Sequence, residues 1–239
     1  MQKRKEFGTG FLYVLMNHIY ALMLTNICFI LSNVIFLFFF MTLEPSFTNI
    51  TLYFLALIPA GPSISALFYS IGKLIREQEL SPLRDYLHGY KINVKDTLKF
   101  WTPYLMVLYI LFIDFQYYNT NLSFKNSVLS VVILAGIALL MVVSLNAFFI
   151  NSGFSFRTRD VWRLSIYYGF KKPKITFGNA GIVIIALFMT MVTNSFFMVF
   201  TASLITYLFM LNSKTLLEDL KENFCKQETI SHQEVAVSK

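Results

Sequence analysis

Pro59-Ala60-Gly61-Pro62-Ser63 is the stretch of this chain best able to do chemistry without a reactive side chain. Two prolines three residues apart remove two backbone donors, and Gly61 between them reaches geometries closed to other residues. Carbonyls freed in this way persist inside a membrane only when buried in protein or facing a watery cavity, and broken helices of that kind often mark solute sites in transporters. The commoner outcome is a kink used for packing, because neighbouring helices re-satisfy it. Pro59, Gly61, Pro62 and Ser65 are therefore the candidate helix break or cavity. Past the break, Pro62, Ala66 and Ser70 recur at four-residue spacing, and such small residues place this half-helix inside a bundle.

Other reactive groupings are sparse. The chain has no glycine-rich phosphate loop, no paired metal-ligand spacing and no nucleophile elbow, and His18, His88 and His232 lie far apart. The expectation is a protein that is not an enzyme, with no catalytic residue, cofactor or metal. Cys28 falls in the middle of an apolar run and Cys225 near the polar end, so no disulfide is expected. Asn26 and Asn33, seven apart, share one helix face and are the candidate polar bundle face. Together with Ser144, Asn146, Asn179, Thr190, Asn194, Thr201, Ser203 and Thr206 they are expected to hydrogen-bond between helices. Asp114, beside Gln116, Tyr117 and Tyr118, is expected at the outer headgroups.

These residues need elements to hold them, and composition says what kind. Of 239 residues, 56% are hydrophobic and only 14% charged, with a mean hydropathy of +0.60, which a soluble fold could not cover. A span takes about 20 mostly apolar residues at 1.5 Å each. The charge-free runs predict an all-α, polytopic membrane bundle of six transmembrane helices over about 17–42, 50–75, 100–118, 126–150, 175–192 and 195–213. The last two come from one run of 39 residues, Ile175 to Ser213, closed by a turn at Thr193, Asn194 and Ser195. Residues 1–217 are read as one domain and 218–239 as a short cytoplasmic tail, disordered at its polar end. The basic start at Lys3, Arg4 and Lys5 resembles a signal-peptide n-region, but the apolar run is too long and lacks a small-x-small site, so helix 1 is expected to stay.

Nineteen of the 20 Lys and Arg residues fall at the two ends of the chain, between helices 2 and 3, or between helices 4 and 5; Lys125 alone lies on the other face. The positive-inside rule then puts both termini in the cytoplasm, and the net charge of +7 is assigned to anionic inner-leaflet lipid, not nucleic acid. Two of these connections read as basic amphipathic helices on the cytoplasmic side. In the first, Leu83, Tyr86, Leu87, Tyr90, Val94, Leu98 and Trp101 recur at helical spacing, interrupted by Gly89; in the second, Val161, Trp162, Leu164, Ser165 and Tyr168 do, ended by Pro173. Arg84, Lys91, Lys95, Trp162, Arg163, Lys171 and Lys172 are the candidate surface for lipid or a partner.

Three stretches resemble the YesL family of small bacterial membrane proteins: Ile-Pro-Ala-Gly-Pro-Ser-Ile-Ser-Ala-Leu-Phe-Tyr at 58–69, Arg-Asp-Tyr-Leu-His-Gly-Tyr-Lys-Ile-Asn at 84–93, and Trp-Arg-Leu-Ser-Ile-Tyr-Tyr-Gly-Phe-Lys-Lys-Pro at 162–173. The similarity runs from about Phe7 to Leu217, and Gly61 and Pro62 carry its most specific motif. The resemblance implies a setting beside carbohydrate ABC importers and sensor kinases, with no catalytic residues to carry over. The expected function is a non-enzymatic accessory partner of such a system; the alternative is a small solute carrier or substrate-binding membrane subunit with its site at the broken helix 2.

Overall fold

The computed structural model describes residues 11–44, 46–77, 81–120, 123–154, 156–192 and 197–225. Lys3, Arg4, Lys5, the turn at Thr193, Asn194 and Ser195, Lys226, Lys239 and the rest of the polar tail lie outside the described residues, as do the side chains of Thr190 and Cys225. Every regular element among the described residues is helical.

The first apolar run forms two helices, α1 (Phe11–Ser32) and α2 (Val34–Thr42), where one continuous span was expected. Asn33 divides them: its Nδ2 donates to the Phe29 carbonyl at 2.8 Å, and its backbone N–H is shared between the Phe29 and Ile30 carbonyls. A short amide side chain competes with the helix for its own carbonyls, which loosens the turn without ending the run. The second run is α3 (Ile50–Ala56) and α4 (Ala60–Glu77), bent by 49° at the proline-glycine stretch.

The long helix α5 (Pro82–Thr120, 39 residues) corrects the expectation of an amphipathic segment followed by a separate span. Gly89 does not interrupt it. The Tyr69 side chain packs on the bare Gly89 Cα, where an added Cβ would stand 2.7 Å from Tyr69 Cδ1, so this glycine permits close approach of α4. At 1.5 Å per residue α5 is about 58 Å long, nearly twice a hydrocarbon core. Helix α6 (Phe124–Gly153) starts at an N-cap, Ser123, whose hydroxyl accepts from the Asn126 N–H. Helix α7 (Thr158–Lys171) meets α8 (Pro173–Val192) at 98°, as a proline without an N–H dictates. Helix α9 (Phe197–Asn212) continues through Ser213 into α10 (Lys214–Leu220) and a π-helical turn, Lys221–Cys225. Residues 218–225 of the expected tail are thus helical, and Leu216 and Leu220 are fully buried.

Three helices, Leu12–Ser32, Pro82–Thr120 and Phe124–Gly153, are long and apolar enough to cross a membrane, and up to five spans result if each bent pair is one. Only 22% of each of the three spanning windows is buried inside the protein. Surfaces that apolar belong in lipid, and the chain is built as a membrane protein. The interior is an aromatic cluster in which Phe68 meets Phe149 at 4.8 Å and Trp101 meets Phe148 at 5.3 Å between ring centres.

Contacts also sort the connections into two ends. At one, Lys73 pairs with Asp85 (2.7 Å), and Asp219 with Lys171 (3.4 Å) and Lys172 (3.3 Å). At the other, the Tyr53 hydroxyl donates to the Leu43 carbonyl and Thr51 meets the Tyr109 hydroxyl. The first turn of α6, which holds Lys125, lies at that second end.

Candidate functional site

The helix break is formed by missing donors and closed by a tryptophan. Pro59 and Pro62 have no N–H to give, so the chain tightens: Ile58 N–H reaches the Leu55 carbonyl at 3.2 Å and Ala60 N–H the Leu57 carbonyl at 3.1 Å. From α5, the Trp101 indole N–H also donates to the Leu57 carbonyl at 2.9 Å. On the far side, Ser63 uses both its N–H and its hydroxyl on the Pro59 carbonyl. The indole fits because Gly61 has no side chain, and an added Cβ would overlap the ring. Ala60, Gly61, Pro62, Ser63 and Ser65 are all buried.

One helical turn further along α4, Ser65 joins a polar knot. Asn151 of α6 donates through Nδ2 to the Ser65 hydroxyl (3.2 Å) and to the Thr97 hydroxyl of α5 (2.9 Å), tying three helices. Asn151 escaped the sequence reading because the fourth span was ended at 150. It lies seven residues after Ser144, the same-face spacing that singled out Asn26 and Asn33, so the signal was available.

The other polar residues are spread through the bundle and do not converge on Ser65. Asn26 accepts from the Ser203 N–H of α9 at 3.1 Å, Asn146 donates to the Ser165 carbonyl of α7 at 3.2 Å, and Asn179 donates to the Ser213 hydroxyl at 3.2 Å. The Asn33 Oδ1 is buried with no hydrogen-bond partner. Asp114 is half-buried, six residues before the end of α5.

Two cavities approach the break without including it. One of about 430 Å³, walled by Phe36, Phe40, Tyr53, Phe54, Leu57 and Phe112, sits at the end away from the ion pairs, and another of about 180 Å³ includes Ile58 and Tyr109. Both come up to the rim of the break at Leu57 and Ile58, but Pro59, Gly61, Pro62 and Ser65 wall neither. Both linings are mainly apolar, the larger one chiefly aromatic, with few of the convergent polar groups that a sugar needs.

The basic end is where the candidate surface residues are found. On α5, Arg84, Lys91 and Lys95 are exposed, and so are Leu83 and Leu87 at 55% and 57%; the face turned inward is Asp85, Tyr86, Gly89, Thr97 and Trp101. On α7, Val161, Leu164, Ser165 and Tyr168 are buried, Trp162 is half-buried with its ring 6.4 Å from that of Tyr104, and Arg163 is exposed. Lys171 and Lys172 are drawn into the clasp on Asp219, and Lys172 also donates to the Thr215 carbonyl at 3.2 Å.

Burial alone would raise the Asp219 carboxyl, but the contact with Lys172 and the attraction of both ammonium groups outweigh it and hold the group below its usual 3.8. A depressed folded value contributes stability above the unfolded value, lost as pH falls through the folded one. Amide exchange in Lys214–Leu220 should therefore stay protected from neutral to mildly acid pH and lose protection only below about 3.8, where the ordinary carboxylate titrates. Asp219→Asn should show the loss at every pH.

Among the described residues no group of three or more His, Cys, Asp or Glu is placed to hold a metal. A family model described as a protein of unknown function, DUF624, matches residues 22–115. The match begins in α1 and ends in the second half of α5, so it takes in the break, the Gly61–Trp101 contact and the Lys73–Asp85 pair but not Asn151. No curated protein and no solved structure matches the chain.

Proposed function

We propose that this chain is a six-span protein of the bacterial cytoplasmic membrane, with both termini in the cytoplasm, acting as a non-enzymatic accessory partner of a carbohydrate ABC uptake or sensing system. The spans are α1 with α2, α3 with α4, the second half of α5, α6, α8 and α9. The observation that carries the reading is the first half of α5: a helix about twice the membrane thickness must leave the bilayer, and the half that leaves exposes Leu83 and Leu87 beside Arg84, Lys91 and Lys95. Apolar and cationic groups mixed on one exposed face suit a protein contact, and α7 adds Tyr167 and Phe170 at 50% and 73% exposure. The choice of a carbohydrate importer or a sensor kinase comes from the YesL resemblance. The carrier alternative has no comparable support, because Trp101 fills the break.

Two measurements test this. With Cys28 and Cys225 replaced by alanine, Lys125→Cys should react with a membrane-impermeant maleimide on intact cells and Lys91→Cys only after lysis; the reverse pattern would refute the orientation. Affinity purification from native membranes should recover an ABC-transporter component or a histidine kinase, and Arg84→Glu/Lys91→Glu/Lys95→Glu should abolish that recovery. Retrieving neither component under conditions that keep known complexes together would count against the accessory role.

A further inference from the structure

A cavity of about 300 Å³ lies at the basic end, where the last turn of α4, the last turn of α6 and α10 come together. Its walls are of two kinds. Arg76, Lys214 and Lys221 bring three cations against the single carboxylate of Glu218, while Phe149 and Met210 form an apolar wall. Three other cations at this end are paired, Lys73 with Asp85 and Lys171 and Lys172 with Asp219, while Arg84, Lys91, Lys95 and Arg163 stand on exposed surface outside the cavity. Among the described residues Arg76, Lys214 and Lys221 have no carboxylate within 4 Å, although they share one small space with an excess of positive charge.

Lys214, Glu218 and Lys221 lie four and three residues apart, on one exposed face of the C-terminal segment, and the buried Leu216 and Leu220 hold its opposite face against the bundle. All four charged side chains are exposed, on helices that the buried Leu74, Leu216 and Leu220 anchor in the bundle. We propose that this cavity binds a phosphate-bearing anion, its charge held by Arg76, Lys214 and Lys221 and any apolar portion lying on Phe149 and Met210. Arginine presents a planar fork to phosphate oxygens and lysine a point charge, and basic pockets between membrane helices on the cytoplasmic side take phospholipid headgroups by this chemistry. The same groups would hold a soluble phosphate, so the source is decided by experiment.

The full-length protein is placed in nanodiscs of phosphatidylcholine, either doped with phosphatidylglycerol or supplied with inorganic phosphate, and bound anion is counted by native mass spectrometry. Retention of phosphatidylglycerol should fall about fivefold for each cation removed in Arg76→Gln, Lys214→Gln and Lys221→Gln. The exposed pair Arg157→Gln/Arg159→Gln should leave it unchanged. Gly153→Leu tests the same site by shape: a Cβ there meets only Leu217, at 3.8 Å, so the longer side chain is tolerated and projects toward the cavity. It should also reduce retention, with the melting temperature kept. If inorganic phosphate rather than lipid is retained, with the same sensitivity to the variants, the site takes a soluble phosphate. Retention of neither probe, or equal losses from the Lys214→Gln/Lys221→Gln and Arg157→Gln/Arg159→Gln pairs, overturns the proposal.

Discussion

Gly61→Ala should destabilise the folded protein by about 1–3 kcal/mol, read as a lower midpoint in thermal unfolding of the detergent-solubilised protein, because overpacking a filled core costs that much. The added methyl would occupy the space of the Trp101 ring. That ring has little room to move, since Tyr104 lies 5.0 Å from it, Phe148 lies 5.3 Å from it, and its N–H is bonded to Leu57. Trp101→Ala should cost more, about 3–5 kcal/mol, through the cavity it leaves. The informative measurement is the double variant. Once Trp101 is alanine, the clash is gone and Gly61→Ala should become neutral or stabilising by up to about 1 kcal/mol, because alanine is the better helix former. A penalty for Gly61→Ala that is the same in both backgrounds would show that the indole is not what the glycine accommodates.

Asn151→Ala should be the other large effect. The change removes the donor that serves the fully buried hydroxyls of Ser65 and Thr97, and each buried polar group left without a partner costs about 1–3 kcal/mol. Hydrogen bonds between membrane helices average only about 0.6 kcal/mol, because the separated helices find other partners, so a total near 2 kcal/mol is expected. Replacing the whole knot, Ser65→Ala/Thr97→Val/Asn151→Leu, should cost less than Asn151→Ala alone, since it leaves no orphaned group. A triple variant less stable than the single one would mean that the polar knot contributes more than its satisfied hydrogen bonds.

The membrane character, the helical class and the gathering of bases at one end were all legible from hydropathy and charge spacing. These are properties of where residue types stand along the chain. Lys73, the pair Lys171 and Lys172, and Lys214 sit far apart in sequence, yet each falls close to one end of an apolar run, and successive runs return the chain to the same end. The break before α4 was equally legible, because Pro59 and Pro62 lack their N–H groups in any fold.

What fills that break was not legible. Only the packing of α5 along α4 brings Trp101, 40 residues away, onto Gly61 and turns a candidate cavity into a filled contact. Packing likewise decided which side of the amphipathic segments faces inward. Periodicity grouped Leu83 and Leu87 with Tyr86 and Trp101, but α5 is rotated to bury Asp85, Tyr86 and Gly89, because Lys73 and Tyr69 of α4 supply the matching charge and shape. Gly89 looked like an interruption for the same reason, since a glycine inside a helix is a weakness until a neighbour uses the space. Local chemistry thus determines where this chain bends and which end carries its charge. Whether a bend opens on a cavity or on a tryptophan depends on the helix packed against it, which no local pattern encodes.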